Sequence, residues 1–328
     1  MAIRVLVTGA GGFIGHHLTA YLVSKGYWVR GVDLKDPQFG ATAAHEFQRL
    51  DLRRPEDARD ATSGVDEVYH LAADMGGIGF ISRNRALLAR NNTLIDLNTL
   101  DAAFRSGVRR FLFSSSACVY PQDLQRSAAV TPLAEAAAWP ADPEAGYGLE
   151  KIYIEKMCQY YREDLGCETR VVRLHNVYGP MGTWEGGREK APAALCRKVA
   201  LASNPGTIEI WGDGLQTRSY MYIDDCVEGV HRLMRSGFHQ PLNLGTEELV
   251  SVDELVDIVA AAAGKTISKR HDCSKPQGVR GRNSDNSLLR QTLGWEPETR
   301  LEQGVAVTYR WIEAELATRD MEALAASA

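Results

Sequence analysis

Tyr147 and Lys151 stand four residues apart in the segment Tyr147-Gly-Leu-Glu-Lys151. On a helix that spacing puts both side chains on one face. An ammonium near a phenol favours the phenolate, which would make Tyr147 a base for taking a proton from a hydroxyl group. A tyrosine–lysine pair of this spacing is ordinarily a surface feature. This one gains weight from Ser114-Ser-Ser116, which ends an apolar run of the kind whose C-terminal edge holds ligands in open α/β sheets.

A second cluster, near the N-terminus, has the make-up of an anion cradle. In Gly9-Ala-Gly-Gly12-Phe13-Ile14-Gly15 the glycines allow a tight turn, a close approach of backbone to a pyrophosphate, and close packing of helix on sheet. The turn follows a strand-like run and opens a helix-like one. The helix N-terminus then offers N–H groups and the positive end of its dipole to phosphates. Asp33 closes the next strand-like run at about the spacing of a carboxylate that binds an adenosine ribose. A carboxylate there repels a 2′-phosphate, so the expected cofactor is NAD in preference to NADP.

These groups need a scaffold to bring them together. Strand candidates at 3–8, 28–32, 46–50, 66–71, 109–114 and 169–174 alternate with helical stretches at 13–25, 84–106 and 147–164. Such alternation predicts an α/β fold: a Rossmann-type, doubly wound parallel sheet. After Gly179-Pro180 the rhythm changes to glycines, arginines and short mixed elements, and a helix at 252–263 follows. The expected division is an NAD-binding domain over 1–180, with later strands such as 241–244 returning to its sheet, and a smaller, mainly substrate-binding lobe over 181–328. The chain is expected to end in a helix at 301–318 and a frayed Ala-rich tail.

Composition narrows the setting. The chain has 328 residues, a hydrophobic fraction of 45% and a formal net charge of −5. That charge gives no general attraction to nucleic acid or to anionic lipid, so neither is an expected partner. Any anionic ligand has to be held by a few placed basic residues. The cysteines (Cys118, Cys158, Cys167, Cys196, Cys226 and Cys273) are scattered, with no C-x-x-C pair. Reduced thiols and a cytoplasmic address follow, with neither a disulfide framework nor a metal site. The strand-like run Ile3–Thr8 leaves no room for a signal peptide, and no apolar stretch is long enough to span a membrane.

Taken together, the glycine turn, Asp33, Asp51-Leu52, His70-Leu-Ala-Ala73, Ser116, Tyr147 and Lys151 resemble, in their order, the extended short-chain dehydrogenase/reductase family. The resemblance implies that Asp51 and Leu52 flank the adenine, and that Leu71, Ala72 and Ser114 join the cofactor site. It implies that Tyr147 takes a hydroxyl proton as hydride passes to the nicotinamide. Ser116 would hydrogen-bond the same oxygen and Lys151 would hold the ribose.

The second half is similar to the sugar-nucleotide epimerases and dehydratases of that family, through Trp211-Gly-Asp-Gly-Leu-Gln216-Thr-Arg218 and Tyr222-Ile-Asp-Asp225. By that resemblance Arg218 sits on the pyrophosphate, and Arg280 or Arg282, in Gly278-Val-Arg-Gly-Arg282, supplies a second phosphate-binding arginine. Two arginines can grip a diphosphate by forked hydrogen bonds.

Four further segments resemble the GDP-mannose 3,5-epimerases: Asp74-Met-Gly-Gly-Ile-Gly79-Phe, Ser115-Ser-Ala-Cys118-Val-Tyr-Pro121, Arg173-Leu-His-Asn176-Val-Tyr-Gly-Pro180 and Gly182-Thr-Trp-Glu-Gly-Gly-Arg-Glu-Lys190. Oxidation at C4 of a hexose makes a ketone that acidifies the hydrogens on C3 and C5. Inversion then takes an acid/base group on each side of the ring, and the resemblance assigns these to Cys118 and Lys190. It also places Gly76, Gly77, Asn176, Glu189 and Gln216 at the substrate. The implied reaction turns GDP-mannose into GDP-L-galactose, with GDP-L-gulose as a single-inversion product, in a homodimer paired through the helices at 84–106 and 147–164.

Two alternatives stand beside this. A 4-epimerase or dehydratase acting on another nucleotide sugar is one, although a dehydratase needs an acid next to Ser116, where this chain has Ala117 and Cys118. A non-catalytic dinucleotide-binding protein is the other, and it would have no need of Tyr147, Lys151 and Ser116.

Overall fold

Val5 and Val7 bury into one core and Leu6 into another, all at 0% exposure. Their strand therefore has helices on both faces, which is why its sequence is a continuous apolar run. The computed structural model describes residues 2–143, 146–275 and 277–326. In chain order the first elements are β1 (Arg4–Thr8), α1 (Phe13–Ser24), β2 (Trp28–Asp33), β3 (Glu46–Arg49), α2 (Pro55–Thr62), β4 (Glu67–His70), α3 (Ile78–Ile81), α4 (Arg85–Arg105) and β5 (Arg110–Ser116). Next come α5 (Tyr147–Leu165), β6 (Thr169–Leu174), β7 (Asn176–Tyr178), α6 (Ala191–Leu201), β8 (Gly206–Trp211), β9 (Thr217–Arg218), β10 (Tyr220–Tyr222) and α7 (Ile223–Arg235). The chain finishes with β11 (Leu242–Leu244), β12 (Val250–Ser251), α8 (Val252–Ala263), β13 (Ile267–Asp272), β14 (Gly281–Arg282), α9 (Ser287–Leu293) and α10 (Leu301–Ala326).

The main sheet has seven strands in the order β11-β6-β5-β4-β1-β2-β3, and every pairing is parallel. Strand order reverses between β1 and β4, so the crevice beyond their C-terminal ends is where such a sheet takes a ligand. The core on one face brings α1 and α7 together through Leu18, Leu22, Val227 and Val230. The other face packs α2, α4 and α5 through Ala58, Ile95, Ala103 and Ile154.

The strands match the expected positions to within about two residues. β5 runs on to Ser116, so the three serines are its last residues, at the end of the fifth strand as expected. β11 is the expected late return, pairing with β6 through Leu242–Leu244. With α7 it brings part of the second half back onto the first sheet. Smaller sheets form the second lobe: β10-β7, β12-β9-β14 and β13-β8. A separate core there packs Leu195 and Val199 of α6, Leu255 and Val259 of α8, and Val305 and Ile312 of α10. A Ser251/Glu254 capping box starts α8, and Gly264 at φ +63° ends it, which accounts for its agreement with the expected 252–263. The terminal helix is longer than the expected 301–318. It continues to Ala326, since alanines with no breaker among them extend a helix at little cost.

Candidate active site

The glycine turn is built as its sequence implies. Gly9 has φ +72°, and a Cβ there would meet the Ala72 nitrogen at 2.9 Å. A Cβ on Gly15 would fall 2.1 Å from the Gly9 carbonyl oxygen, so the helix can press this closely on the turn only with glycine. Gly12 caps α1 without any side-chain hydrogen bond, and Phe13 and Ile14 form the first turn. The N–H groups at that end are thus offered to an outside acceptor. Asp33 accepts from the Gly11 N–H at 3.0 Å and the Lys35 N–H at 3.2 Å. Burial raises its pKa, opposed by those backbone bonds. A cradle without side chains, an open helix end and a carboxylate at the tip of β2 together fit a dinucleotide.

The remaining cofactor candidates are held by local contacts. Asp51 takes the Arg53 guanidinium in a two-pronged pair at 2.8 and 2.7 Å, and Leu52 is buried beside it. The Leu71 and Ala72 N–H groups both donate to Thr8 Oγ1 at 3.1 Å. Ser114 donates to the His70 carbonyl at 2.9 Å, locking β5 against β4.

Tyr147 opens α5 and packs with Ile81 and Leu88 in a cluster that also takes in Met75, Phe80 and Cys118. Ser116 Oγ accepts the Cys118 N–H at 3.2 Å, capping the short 3₁₀ turn Ala117–Val119. Gly148 lets α5 come this close, since a Cβ on it would sit 2.2 Å from the Cys118 carbonyl oxygen. Tyr147, Ser116 and Cys118, separate in sequence, therefore share one wall. Lys151 Nζ lies 5.6 Å from the Tyr147 ring centre and 4.7 Å from that of Phe113. The expected lowering of the Tyr147 pKa is overridden: burial raises it and outweighs the opposing pull of the Lys151 ammonium.

Lys190 is the N-cap residue of α6. Burial lowers its pKa, with Cys118 and Cys226 acting in the opposite sense, so the Cys118 sulfur is within electrostatic reach. Its loop is clasped by the one holding Gly76 and Gly77. The Gly77 N–H donates to the Arg188 carbonyl at 3.2 Å, and Arg188 reaches Asp74 Oδ1 at 3.2 Å. A Cβ on Gly77 would meet the Glu189 carbonyl oxygen at 2.9 Å, and one on Gly76 would crowd the Phe80 ring at 3.0 Å. Glu189 accepts from the Gly187 N–H at 2.6 Å, turning its carboxylate back onto its own loop.

Asn176 donates to the Ser219 carbonyl at 3.1 Å and so ties β7 to β10. Gln216 donates to the Trp211 carbonyl at 3.1 Å, while its buried Oε1 has no protein partner. The three arginines divide. Arg280 Nη1 is 2.8 Å from each Asp213 oxygen, which commits it to the 211–216 loop. Arg282 is buried, donates to Gln125 and reaches the Cys118 sulfur at 3.5 Å. It is also the register partner of Arg218. Arg282, not Arg280, stands with Arg218 and the proposed chemistry.

One buried cluster escaped the sequence reading. Thr8, His70, Asp96 and Glu150 join Lys151 in an internal network of side chains at most 3% exposed. A signal was present: Asn92, Asp96 and Thr99 follow helical spacing on the face of α4 that should be apolar, and all are fully buried. His175, left without a role, is buried and neutral, its pKa lowered to about 3 by burial and then by Arg282.

A profile of the NAD dependent epimerase/dehydratase family matches residues 5–245. The chain belongs to that family. Family membership accounts for both the NAD-type cradle and the Tyr147–Lys151 pair on one chain. Among curated members, a rice GDP-mannose 3,5-epimerase 1 is 47% identical over 316 residues, 96% of this chain and 82% of the relative. The Arabidopsis thaliana GDP-mannose 3,5-epimerase is 46% identical over 96% of this chain and 83% of its own length. Among solved structures, UDP-glucose 4-epimerase of Thermotoga maritima with UDP-glucose superposes with a TM-score of 0.85 at 26% identity, covering 96% of this chain and 100% of that one. The Bacillus cereus UDP-glucuronic acid 4-epimerase, solved with UDP-glucuronic acid and NAD, gives a TM-score of 0.79 at 26% identity, covering 95% of this chain and 100% of that one. None of the six cysteines of this family member forms a disulfide, and among the described residues no helix is long and apolar enough to cross a membrane.

Proposed function

We propose that the protein is a GDP-mannose 3,5-epimerase that inverts C3 and C5 of the hexose to give GDP-L-galactose, with GDP-L-gulose as the singly inverted product. The observation that supports this best is Cys118, packed against Tyr147, in contact with Arg282 and within electrostatic reach of Lys190. A simple 4-epimerase has no use for a thiol and an amine gathered at its tyrosine.

Tyr147 takes the C4 hydroxyl proton, and the Lys151 ammonium is the neighbour that favours its phenolate. Ser116, whose oxygen already accepts the Cys118 N–H, has its own hydrogen to donate to the same sugar oxygen. The glycine cradle and Asp33 would hold NAD, which would supply a hydride acceptor for C4. With C4 a ketone, the C3 and C5 hydrogens are acidic, and Cys118 and Lys190 remove and return protons from opposite faces of the ring. A lysine at its ordinary pKa of about 10.4 is a poor base near neutrality. The lowering that burial imposes on Lys190 moves it toward the useful range. Arg218 and Arg282 hold the diphosphate, and Gly76, Gly77, Asn176, Glu189 and Gln216 surround the sugar nucleotide.

Leu87 on α4 and Leu149, Tyr153 and Tyr160 on α5 are each 46–58% exposed, and they support a homodimer joined through these helices. Cysteines that form no disulfide fit a reducing, cytoplasmic setting. Incubation of the purified protein with GDP-mannose, followed by analysis of the hexoses released on hydrolysis, tests the assignment. Galactose and gulose are expected, and unchanged mannose would end it.

A further inference from the structure

The buried network under Lys151 has a direction that its geometry fixes. Thr8 Oγ1 accepts two backbone N–H groups, from Leu71 and Ala72, each at 3.1 Å. Those fill the acceptor capacity of a hydroxyl, so its own hydrogen goes to His70 Nδ1, 2.8 Å away. With Nδ1 accepting, the ring proton sits on Nε2 and is donated to Asp96 Oδ1 at 2.8 Å. Asp96 thereby accepts at both oxygens, because Lys151 Nζ meets its Oδ2 at 3.1 Å. Thr8, His70 and Asp96 are 0% exposed and Lys151 is 1% exposed.

We infer that Thr8, His70 and Asp96 are positioning residues: a one-way hydrogen-bond chain that starts at the cofactor turn and pins Lys151 as an ammonium beneath Tyr147. The inference builds on the role proposed above for Tyr147 and Lys151. Its elements are the ends of β1 and β4, the buried face of α4 and the first turns of α5, so the lysine is tied to the residue just before Gly9.

The groups facing Lys151 agree with this. From α4 comes Asp96, and from α5 come Tyr147, Glu150 and, further off, Cys158; β4 acts through His70, and β5 contributes the Phe113 ring. Burial by itself disfavours the ammonium. Asp96, followed by Glu150, outweighs it and holds the Lys151 pKa above the ordinary lysine value. Glu150 Oε1 lies 3.4 Å from Lys151 Nζ, and burial pushes Glu150 up to about 10, with Lys151 opposing and Asp96 adding to the rise.

Two measurements test the chain. Nitrogen-15 NMR of the histidine rings, on the protein without substrate and assigned with His70→Gln, should show His70 as the Nε2–H tautomer. Thr8→Val should leave the Nε2–H tautomer in place, because Asp96 still accepts that proton, and should move the Nδ1 resonance to that of a ring nitrogen with no hydrogen bond. In steady-state assays with GDP-mannose, Asp96→Asn should lower kcat about tenfold with little change in KM, and shift the alkaline limb of kcat to lower pH. An Nδ1–H tautomer at His70 in the wild type would overturn the inference, as would a folded Asp96→Asn variant with the kcat and pH profile of the wild type. Wild-type protein inert toward GDP-mannose would overturn the substrate assignment instead, and the tautomer would still decide the chain.

Discussion

Arg218 and Arg282 are register partners on adjacent parallel strands, β9 and β14, so their side chains leave the same face of the β12-β9-β14 sheet. A diphosphate can accept a fork of hydrogen bonds from each of two arginines. Removing either arginine should weaken GDP-mannose binding by about 10- to 100-fold, from roughly 1.5–3 kcal/mol per charge-assisted contact. Arg280→Ala should cost less, because its partner is Asp213. Calorimetric titration with GDP-mannose separates the three variants. Equal losses at Arg280 and Arg282 would remove the distinction.

The two ligands should respond to different substitutions. Asp33→Ala should weaken NAD binding and leave nucleotide-sugar affinity nearly intact, because Asp33 lies at the glycine turn. Arg218→Ala should do the reverse. Binding curves for both ligands on both variants check this, and parallel losses would contradict it.

Lys190 should trade stability for chemistry. Its folded pKa is lower than its unfolded one, so the charged form opposes folding. That penalty is full at pH values below the lowered pKa, and it fades as pH rises from there to the ordinary lysine value. Lys190→Met should therefore melt higher than the wild type at pH 7 while losing inversion, with the gap closing as pH approaches about 10.4. Scanning calorimetry across pH reads the gap. A variant that melts lower than the wild type at pH 7 would mean that Lys190 is not a strained charge.

Isotope tracing addresses the two-sided mechanism. Protons taken from C3 and C5 exchange with Cys118 and Lys190 and so with solvent, whereas hydride at C4 does not. Turnover in deuterated water should put deuterium at C3 and C5 of the product and leave C4 protiated. Cys118→Ala should stop inversion yet permit some C4 oxidation, since Tyr147, Lys151 and the cofactor cradle remain. Solvent deuterium at C4, or full activity in Cys118→Ala or Lys190→Ala, would refute the mechanism.

Local rules were enough to determine much of this protein from its sequence. The glycine turn, the strands of the parallel sheet and helix α8 follow from backbone freedom, apolar runs and capping, which depend on near neighbours in the chain. The Tyr147–Lys151 spacing belongs with them, because a helix fixes it. Tertiary structure decided what depends on distant partners. Burial, not the adjacent ammonium, sets the direction of the Tyr147 pKa, and depth in a fold is not written in a five-residue motif. Arg280 and Arg282 are equivalent in the string, and only the placing of Asp213 beside one and Cys118 beside the other separates them. Asp96 and His70 are 26 residues apart and become one hydrogen-bond chain because α4 packs over the end of β4. The apolar pattern of α4 is broken at Asp96, but the reason lies on the neighbouring helix α5, in a lysine 55 residues further on.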